Sequence, residues 1–288
     1  LDLSFNALQA IPAVVGRLPQ LHTLSLRGNC DRYQWGEPAV FQVDPAVLSQ
    51  LPQLASLELG FNWLAIPPEG LGDLPQLRDL GFDGTNLRVP AWLARYPTLH
   101  SIDLDDTDGD ADGPITVLEA LGQLRTLVWT RNHATTLPAV VRSLRQLETL
   151  ELYGNELTTL PDWLAELTRL REMGLRSNEF RDVPACLREL TDLERLNLSG
   201  NVLTAVPTWL SGLSRLQRLE LEDNQLATLP DALATLPALT QLTVAANPPF
   251  ELPTWLAGRL AVIEDLPDLV RDQWRGERPE SRTIRLRD

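Results

Sequence analysis

Oxygen ligands for a hard cation are the first chemistry the sequence offers. From Asp108 it reads D-G-D-A-D-G-P-I-T-V-L-E, which fits D-x-D-x-D-G-x5-E. Asp108, Asp110 and Asp112 stand at positions 1, 3 and 5, Gly113 at the turn, Ile115 at the apolar position and Glu119 at position 12. This is the spacing with which a calcium-binding loop wraps its ion, so calcium is the one cofactor the sequence suggests. Carboxylates this crowded repel one another unless a cation sits among them. Two features point instead to a solvated acidic loop. Pro114 occupies a position whose carbonyl would be a ligand, and a strand, rather than an entering helix, precedes the run. Glu119 is moreover needed by the helix that follows.

Catalytic constellations are not apparent. His22, His100 and His133 fall far apart, with no spacing that makes a metal set or a triad. There is no G-x-S-x-G, H-E-x-x-H, C-x-x-C or P-loop phrase. Cys30 and Cys186 are the two cysteines, and neither has a nearby partner in sequence. A chain this poor in cysteine suits a reducing compartment, so a cytoplasmic location is expected. No apolar run reaches membrane-spanning length.

The elements that would position any site come from one phrase. Leu147 opens LETLELYGNELTTLP, and the phrase returns as LREMGLRSNEFRDVP, LERLNLSGNVLTAVP, LQRLELEDNQLATLP and LTQLTVAANPPFELP. Leu147, Leu170, Leu193, Leu216 and Leu239 are 23 residues apart each time. A fixed period of this size is the mark of a solenoid. L-x-L is a strand too short to stand alone, and the leucines of one unit are buried only when neighbours stack. The pattern resembles the leucine-rich repeat family, in its 23-residue type with LP after the ascending loop. That resemblance implies an α/β solenoid, a horseshoe with a concave parallel β-sheet and short convex helices. About eleven repeats are expected over residues 1–253, followed by a C-terminal cap at 254–288. The chain starts in mid-repeat at LDLSFN with nothing to cap its apolar edge, which reads as an N-terminally truncated array.

The asparagine of the phrase recurs as Asn6, Asn29, Asn62, Asn132, Asn155, Asn178, Asn201, Asn224 and Asn247, with Thr85 and Thr107 replacing it twice. In the family this residue ladders the turns. A primary amide offers both donors and an acceptor to the backbone of neighbouring turns, whereas a threonine offers one hydroxyl. The ladder is therefore expected to be weakest at Thr85 and Thr107. The spacing also breaks in this half: Leu21 to Leu54 is 33 residues, ten over the period. The excess falls in CDRYQWGEPAVFQVDP, whose segment 31–38 carries Tyr33 and Trp35. Insertions in solenoids become loops on one face, so these aromatics either meet a partner or fold back over their own repeat. After each LP comes a short helix. Its outer column alternates Trp163, Cys186, Trp209, Ala232 and Trp255, as interlocking neighbours would.

Between the leucines, residues face the groove. The centre column runs Asp2, Ser25, Glu58, Gly81, Asp103, Val128, Glu151, Gly174, Asn197, Glu220 and Thr243. The next column runs Ser4, Arg27, Gly60, Asp83, Asp105, Thr130, Tyr153, Arg176, Ser199, Glu222 and Ala245. Two zones emerge: an acidic one with Glu58, Asp79, Asp83, Asp103, Asp105 and Asp106, and a mixed one with Arg131, Glu151, Tyr153, Glu172, Arg176 and Arg195.

Net charge is −14, which argues against nucleic-acid and anionic-membrane partners. All 25 basic residues are arginine, a bias that fits a GC-rich bacterial genome or selection against lysine modification. The expected function is non-catalytic binding of a protein partner that carries a basic patch. Two alternatives stay open: the recognition arm of a larger enzyme (a bacterial effector, ligase or GTPase) and a calcium-stabilised scaffold.

Overall fold

Each L-x-L phrase folds into a strand of three residues, and the leucine between its two neighbours is the one that disappears from solvent. The strands are β1 (Thr23–Ser25), β3 (Ser56–Glu58), β5 (Asp79–Gly81), β6 (Ser101–Asp103), β7 (Thr126–Val128), β8 (Thr149–Glu151), β9 (Glu172–Gly174), β10 (Arg195–Asn197), β11 (Arg218–Glu220) and β12 (Gln241–Thr243). The computed structural model describes residues 1–30, 40–66, 70–85, 87, 89–106, 115–248, 251, 253–256 and 284–285. The chain divides into two compact units, residues 1–134 with 138–149 and residues 135–137 with 150–288.

In the first unit β1, β3, β5, β6 and β7 pair in that order, all parallel. Their register sets Leu24, Leu57, Leu80, Ile102 and Leu127 side by side. The first repeat adds a single bridge, Asp2 to Ser25. The ten extra residues between the first two full strands lead into a second, smaller sheet, β2 (Phe41–Gln42) on β4 (Leu64–Ala65). They are followed by the α-helix α1 (Pro45–Leu48). Asp44 caps this helix, its carboxylate accepting from Ala46 N at 2.9 Å, and Pro45 opens it where a missing N–H costs nothing.

In the second unit β9, β10, β11 and β12 are parallel, and β13 (Ile284–Arg285) joins β12 antiparallel. Met173, Leu196, Leu219 and Leu242 form the buried row. The remainder of the expected C-terminal cap, from 257 on, lies outside the described residues.

The outer segments are short 3-10 turns rather than α-helices, for example Ala91–Arg95, Asp162–Glu166, Ala185–Glu189 and Thr208–Gly212. Five residues permit one or two i→i+3 bonds, and tighter winding suits a piece this short. The proline of each LP stands just before the turn, with ψ near the extended value, as at Pro161 (φ −71°, ψ 148°). It sets the direction of entry into the turn instead of occupying its first position. Leu164, Leu187, Leu210 and Leu233 close these turns on the core with no exposed surface. In the outer column Cys186 is buried, while Trp163 and Trp209 are half-exposed and Arg188 lies 5.6 Å from the Trp209 ring centre.

The asparagines form the ladder their chemistry allows. Asn62 donates to Leu26 O and Leu59 O at 2.9 Å each, and its carbonyl accepts from Asn29 N at 2.8 Å and Cys30 N at 2.9 Å. In the second unit Asn178, Asn201, Asn224 and Asn247 repeat the pattern. Thr85 is buried, yet among the described residues its hydroxyl accepts only from Leu87 N, at 3.3 Å. The carbonyl-to-carbonyl link that an amide makes is missing at this turn. One residue before the ladder position the backbone turns left-handed in both units: Phe5, Gly28, Phe61, Gly84, Asp106 and Arg131, then Gly154, Ser177, Gly200, Asp223 and Ala246. The leucines, the ladder and this kink make the chain an α/β solenoid of leucine-rich repeats.

Candidate functional site

The face of the sheet away from the leucines holds the charged columns, and glycines decide how their side chains lie. In the first unit the second column reads Arg27, Gly60, Asp83, one residue from each of three successive repeats. Because Gly60 has no Cβ, the Asp83 carboxylate lies across it; a Cβ added there would collide with Asp83 Oδ1. Arg27 reaches over the same gap, and its two terminal nitrogens donate to the two oxygens of Asp83 at 2.6 Å each. This is the bidentate fork that guanidinium and carboxylate form best. Arg27 also stands 3.6 Å from Glu58 and 5.0 Å from the centre of the Phe61 ring.

Glu58 lies over Gly81 in the centre column, where a Cβ would again strike its carboxylate. Burial raises the pKa of Glu58; Arg27 pulls it down, and Asp83, Asp103 and Asp79 push it up. Burial pushes Asp103 up to about 6, against a hydrogen bond from Asp105 N that lowers it. Asp105 accepts from the Thr130 hydroxyl and from Arg131, and burial still raises it. Thus Asp83 is buried under Arg27 rather than held open, and Arg131 is committed to Asp105. Glu58, Asp79 and Asp103 keep partly exposed faces.

In the second unit Glu151 lies over Gly174 in the same way that Glu58 lies over Gly81. Burial drives the Glu151 carboxyl up to about 7, and Glu172 and Glu220 add repulsion. Around it, Arg195 bonds Glu172 at 2.8 Å, Arg218 pairs with Glu220, and Arg176 stands 5.8 Å from the Tyr153 ring centre. Glu222 is raised by burial and by Glu220, and lowered by Arg176 and Arg218.

Other expected residues fall elsewhere. Tyr33 and Trp35 lie outside the described residues, as do Asp108, Asp110 and Asp112. Glu119 is exposed on the 3-10 turn Ile115–Ala120. Among the described residues no three His, Cys, Asp or Glu side chains converge for a metal. Both cysteines are buried and unpaired, and burial raises their thiols, Cys186 to about 11, the reverse of what a nucleophile needs. The His22 ring bonds Gln20 O at 2.8 Å.

Reading columns by residue type overlooked three groups. Arg27 and Asp83 meet although 56 residues separate them. Phe5 and Phe61 project from the left-handed kinks, 73% and 43% exposed, with Phe5 against Gly28 and Phe61 against Gly84. Glycines 60, 81 and 174 make room for carboxylates. The signal for Gly81 and Gly174 was present as an acid one repeat earlier in the same column; for Gly60 the acid, Asp83, stands one repeat later.

The comparisons with known proteins agree with this architecture. The leucine-rich repeat region family matches residues 84–201, and a second leucine-rich repeat family matches residues 191–248. No curated protein matches the chain. Among solved structures, an internalin of Listeria monocytogenes is similar, at 23% identity and a TM-score of 0.64, over 86% of this chain and 68% of its own. A leucine-rich repeat protein of Leptospira interrogans is 24% identical with a TM-score of 0.51, over 89% of this chain and 80% of its own. The Arabidopsis receptor kinase HAESA, solved in complex with the peptide hormone IDA and the co-receptor SERK1, is 24% identical with a TM-score of 0.53, over 88% of this chain and 38% of its own. No described helix is long and apolar enough to cross a membrane. With the leucine period, the asparagine ladder and these matches in hand, the chain is a member of the leucine-rich-repeat family.

Proposed function

We propose that the chain is a non-catalytic module that binds a protein partner on the open, leucine-free face of its sheet, the concave side of the family's horseshoe. The observation that carries this reading is the set of half-exposed carboxylates on that face in the first unit: Glu58, Asp79 and Asp103 around the Arg27–Asp83 pair. Tyrosine and arginine in the second unit, Tyr153 and Arg176, add the residue types that interfaces favour. A partner with a basic patch complements this surface and would be steered to it by charge. HAESA, similar in fold, was solved holding a peptide hormone and a co-receptor, which is in keeping with a peptide or protein ligand.

The test is capture of a defined partner by charge-reversed variants. Glu58→Arg with Asp103→Arg alters the open face, and Asp162→Arg with Asp231→Arg alters the outer turns as a control. The reading expects capture to fall only with the first pair. Capture lost with the outer pair and kept with the first would move the interface to the other side.

A further inference from the structure

Phe61 is a large apolar side chain left in water at the edge of the open face. It stands one residue before Asn62 of the ladder, where the backbone is left-handed at φ 53°. A bulky residue is strained in that region. In the repeats on either side Gly28 and Gly84 hold the same position at φ 61°, so the turn does not require a ring. The ring is nevertheless 43% exposed. Among the described residues the other large exposed hydrophobics are Leu1, Phe5, Val14 and Leu18, all ahead of β1. Phe61 alone of these follows a strand paired on both sides, β3 between β1 and β5, so the end of the array does not explain its exposure.

Its surroundings indicate what would cover it. The ring leans over Gly84, where an added Cβ would lie 2.9 Å from its Cδ1, and the Arg27 guanidinium stands 5.0 Å from its centre. The same guanidinium forks onto Asp83 and lies 3.6 Å from Glu58. The ring thus borders a charged cluster whose balance is acidic: the charges acting on Glu58 are one cation, Arg27, and three acids, Asp83, Asp103 and Asp79. Strand register sets Glu58, Gly81 and Asp103 in one row, with Glu58 lying over Gly81. A group that covers the ring also draws water from Arg27 and Glu58, and carboxylates so desolvated need a cation. A purely apolar occupant would strand these charges, and a purely basic one would leave the ring in water. Glu58 precedes Phe61 by three residues, a span of at most roughly 10 Å. The two complementary groups of an occupant therefore lie about three extended residues apart or closer.

We infer that Phe61 and the carboxylates of Glu58 and Asp103 form one docking surface, and that its occupant is a segment of a protein partner in which an apolar side chain stands within about three residues of a lysine or arginine. This rests on the reading of the open face as protein-binding and adds the partner's chemistry. The apolar group packs on the exposed side of Phe61, and the cation meets Glu58 and Asp103. A covered aromatic beside paired charges is the kind of group that carries most of an interface's binding energy.

The experiment selects peptides from a random dodecapeptide display library on the full chain, in mildly alkaline buffer where the carboxylates are ionised. The enriched peptides are then synthesised and titrated against wild type and variants. Enriched sequences should place a leucine, isoleucine, methionine or aromatic residue within about three residues of a lysine or arginine. Phe61→Gly should weaken their binding about tenfold or more, the loss expected for an aromatic anchor. Serine in place of the peptide's apolar residue should weaken binding to wild type and have no further effect on Phe61→Gly. Phe61→Gly and Phe61→Ser should both fold, because Gly28 and Gly84 hold this left-handed position, as does Ser177. Basic sequences without an apolar neighbour, binding unchanged by both variants, or no enrichment would each overturn the inference. Glu58→Arg with Asp103→Arg separates it from the wider reading. Binding lost with that pair and kept with Phe61→Gly overturns the inference alone; binding kept with both overturns the protein-binding reading of this face as well.

Discussion

Arg27 and Asp83 show how much of this face is settled by single residues. The Asp83 side chain is 6% exposed and Arg27 is the cation it holds among the described residues, so removing the guanidinium strands a buried charge. Arg27→Ala should destabilise the fold by about 3 kcal/mol in urea titrations, in line with one-sided loss of a buried pair. Glu151 predicts a pH dependence of opposite origin. Its folded pKa of about 7 lies above the ordinary 4.5, so the folded chain holds this proton more tightly than the unfolded chain does. Stability from this group is present below pH 4.5 and is lost as the pH rises towards 7. Glu151→Gln should therefore match wild type near pH 4.5 and exceed it at pH 8 by on the order of 1 kcal/mol, once solvent screening of a half-buried group is allowed for. Melting the pair at both pH values checks it; a constant difference would show that Glu151 does not titrate as its burial requires. Asp103, raised to about 6, acts with the same sign between its ordinary value and that pH.

At the scale of the repeat, the asparagine and the left-handed residue before it carry the turn. Thr85 breaks the ladder, having one hydroxyl where an amide would link two carbonyls. Thr85→Asn should raise stability by about 1 kcal/mol, the net worth of a recovered hydrogen bond, and a Tm measurement decides it. Asn201 is the converse case. It donates to Leu175 O and Leu198 O and accepts from Phe180 N, so Asn201→Ala should cost about 3 kcal/mol by leaving buried backbone groups unpaired. Ser177 and Asp223 hold the left-handed kink at φ 52° without being glycine. Glycine at Asp223, which is exposed, should stabilise by about 1 kcal/mol, since the Cβ penalty of that region disappears. Gly200→Ala should lose stability, because its φ is 66° and the new methyl would crowd the Ser177 hydroxyl at 2.9 Å.

For the whole chain the −14 net charge sets the response to salt. Like charges gathered on one face oppose folding and attract a basic partner, and both effects shrink as the Debye length falls. Added sodium chloride should raise the Tm of the free protein while weakening capture of a basic peptide. A Tm that falls with salt would mean the face is dominated by its internal pairs, Arg27–Asp83, Arg131–Asp105 and Arg195–Glu172. The stacked repeats make these local effects report locally, because each turn contacts chiefly its neighbours.

The leucine period, the asparagine column and the alternation of buried and open strand positions were legible in the residues alone. The solenoid followed from them, because a three-residue strand has one way to bury its leucine: against the next copy of itself. The columns of the open face were legible too, down to which residues share one. What the columns do not encode is how far a side chain travels along them. Arg27 reaches Asp83 because Gly60 leaves a gap between them, and Glu58 and Glu151 lie flat because Gly81 and Gly174 put no Cβ beneath them. Glu58 over Gly81 has Arg27 beside it at 3.6 Å, whereas Glu151 over Gly174 has no cation beside it among the described residues. That difference depends on which neighbouring arginine is already engaged, and only the tertiary structure decides it.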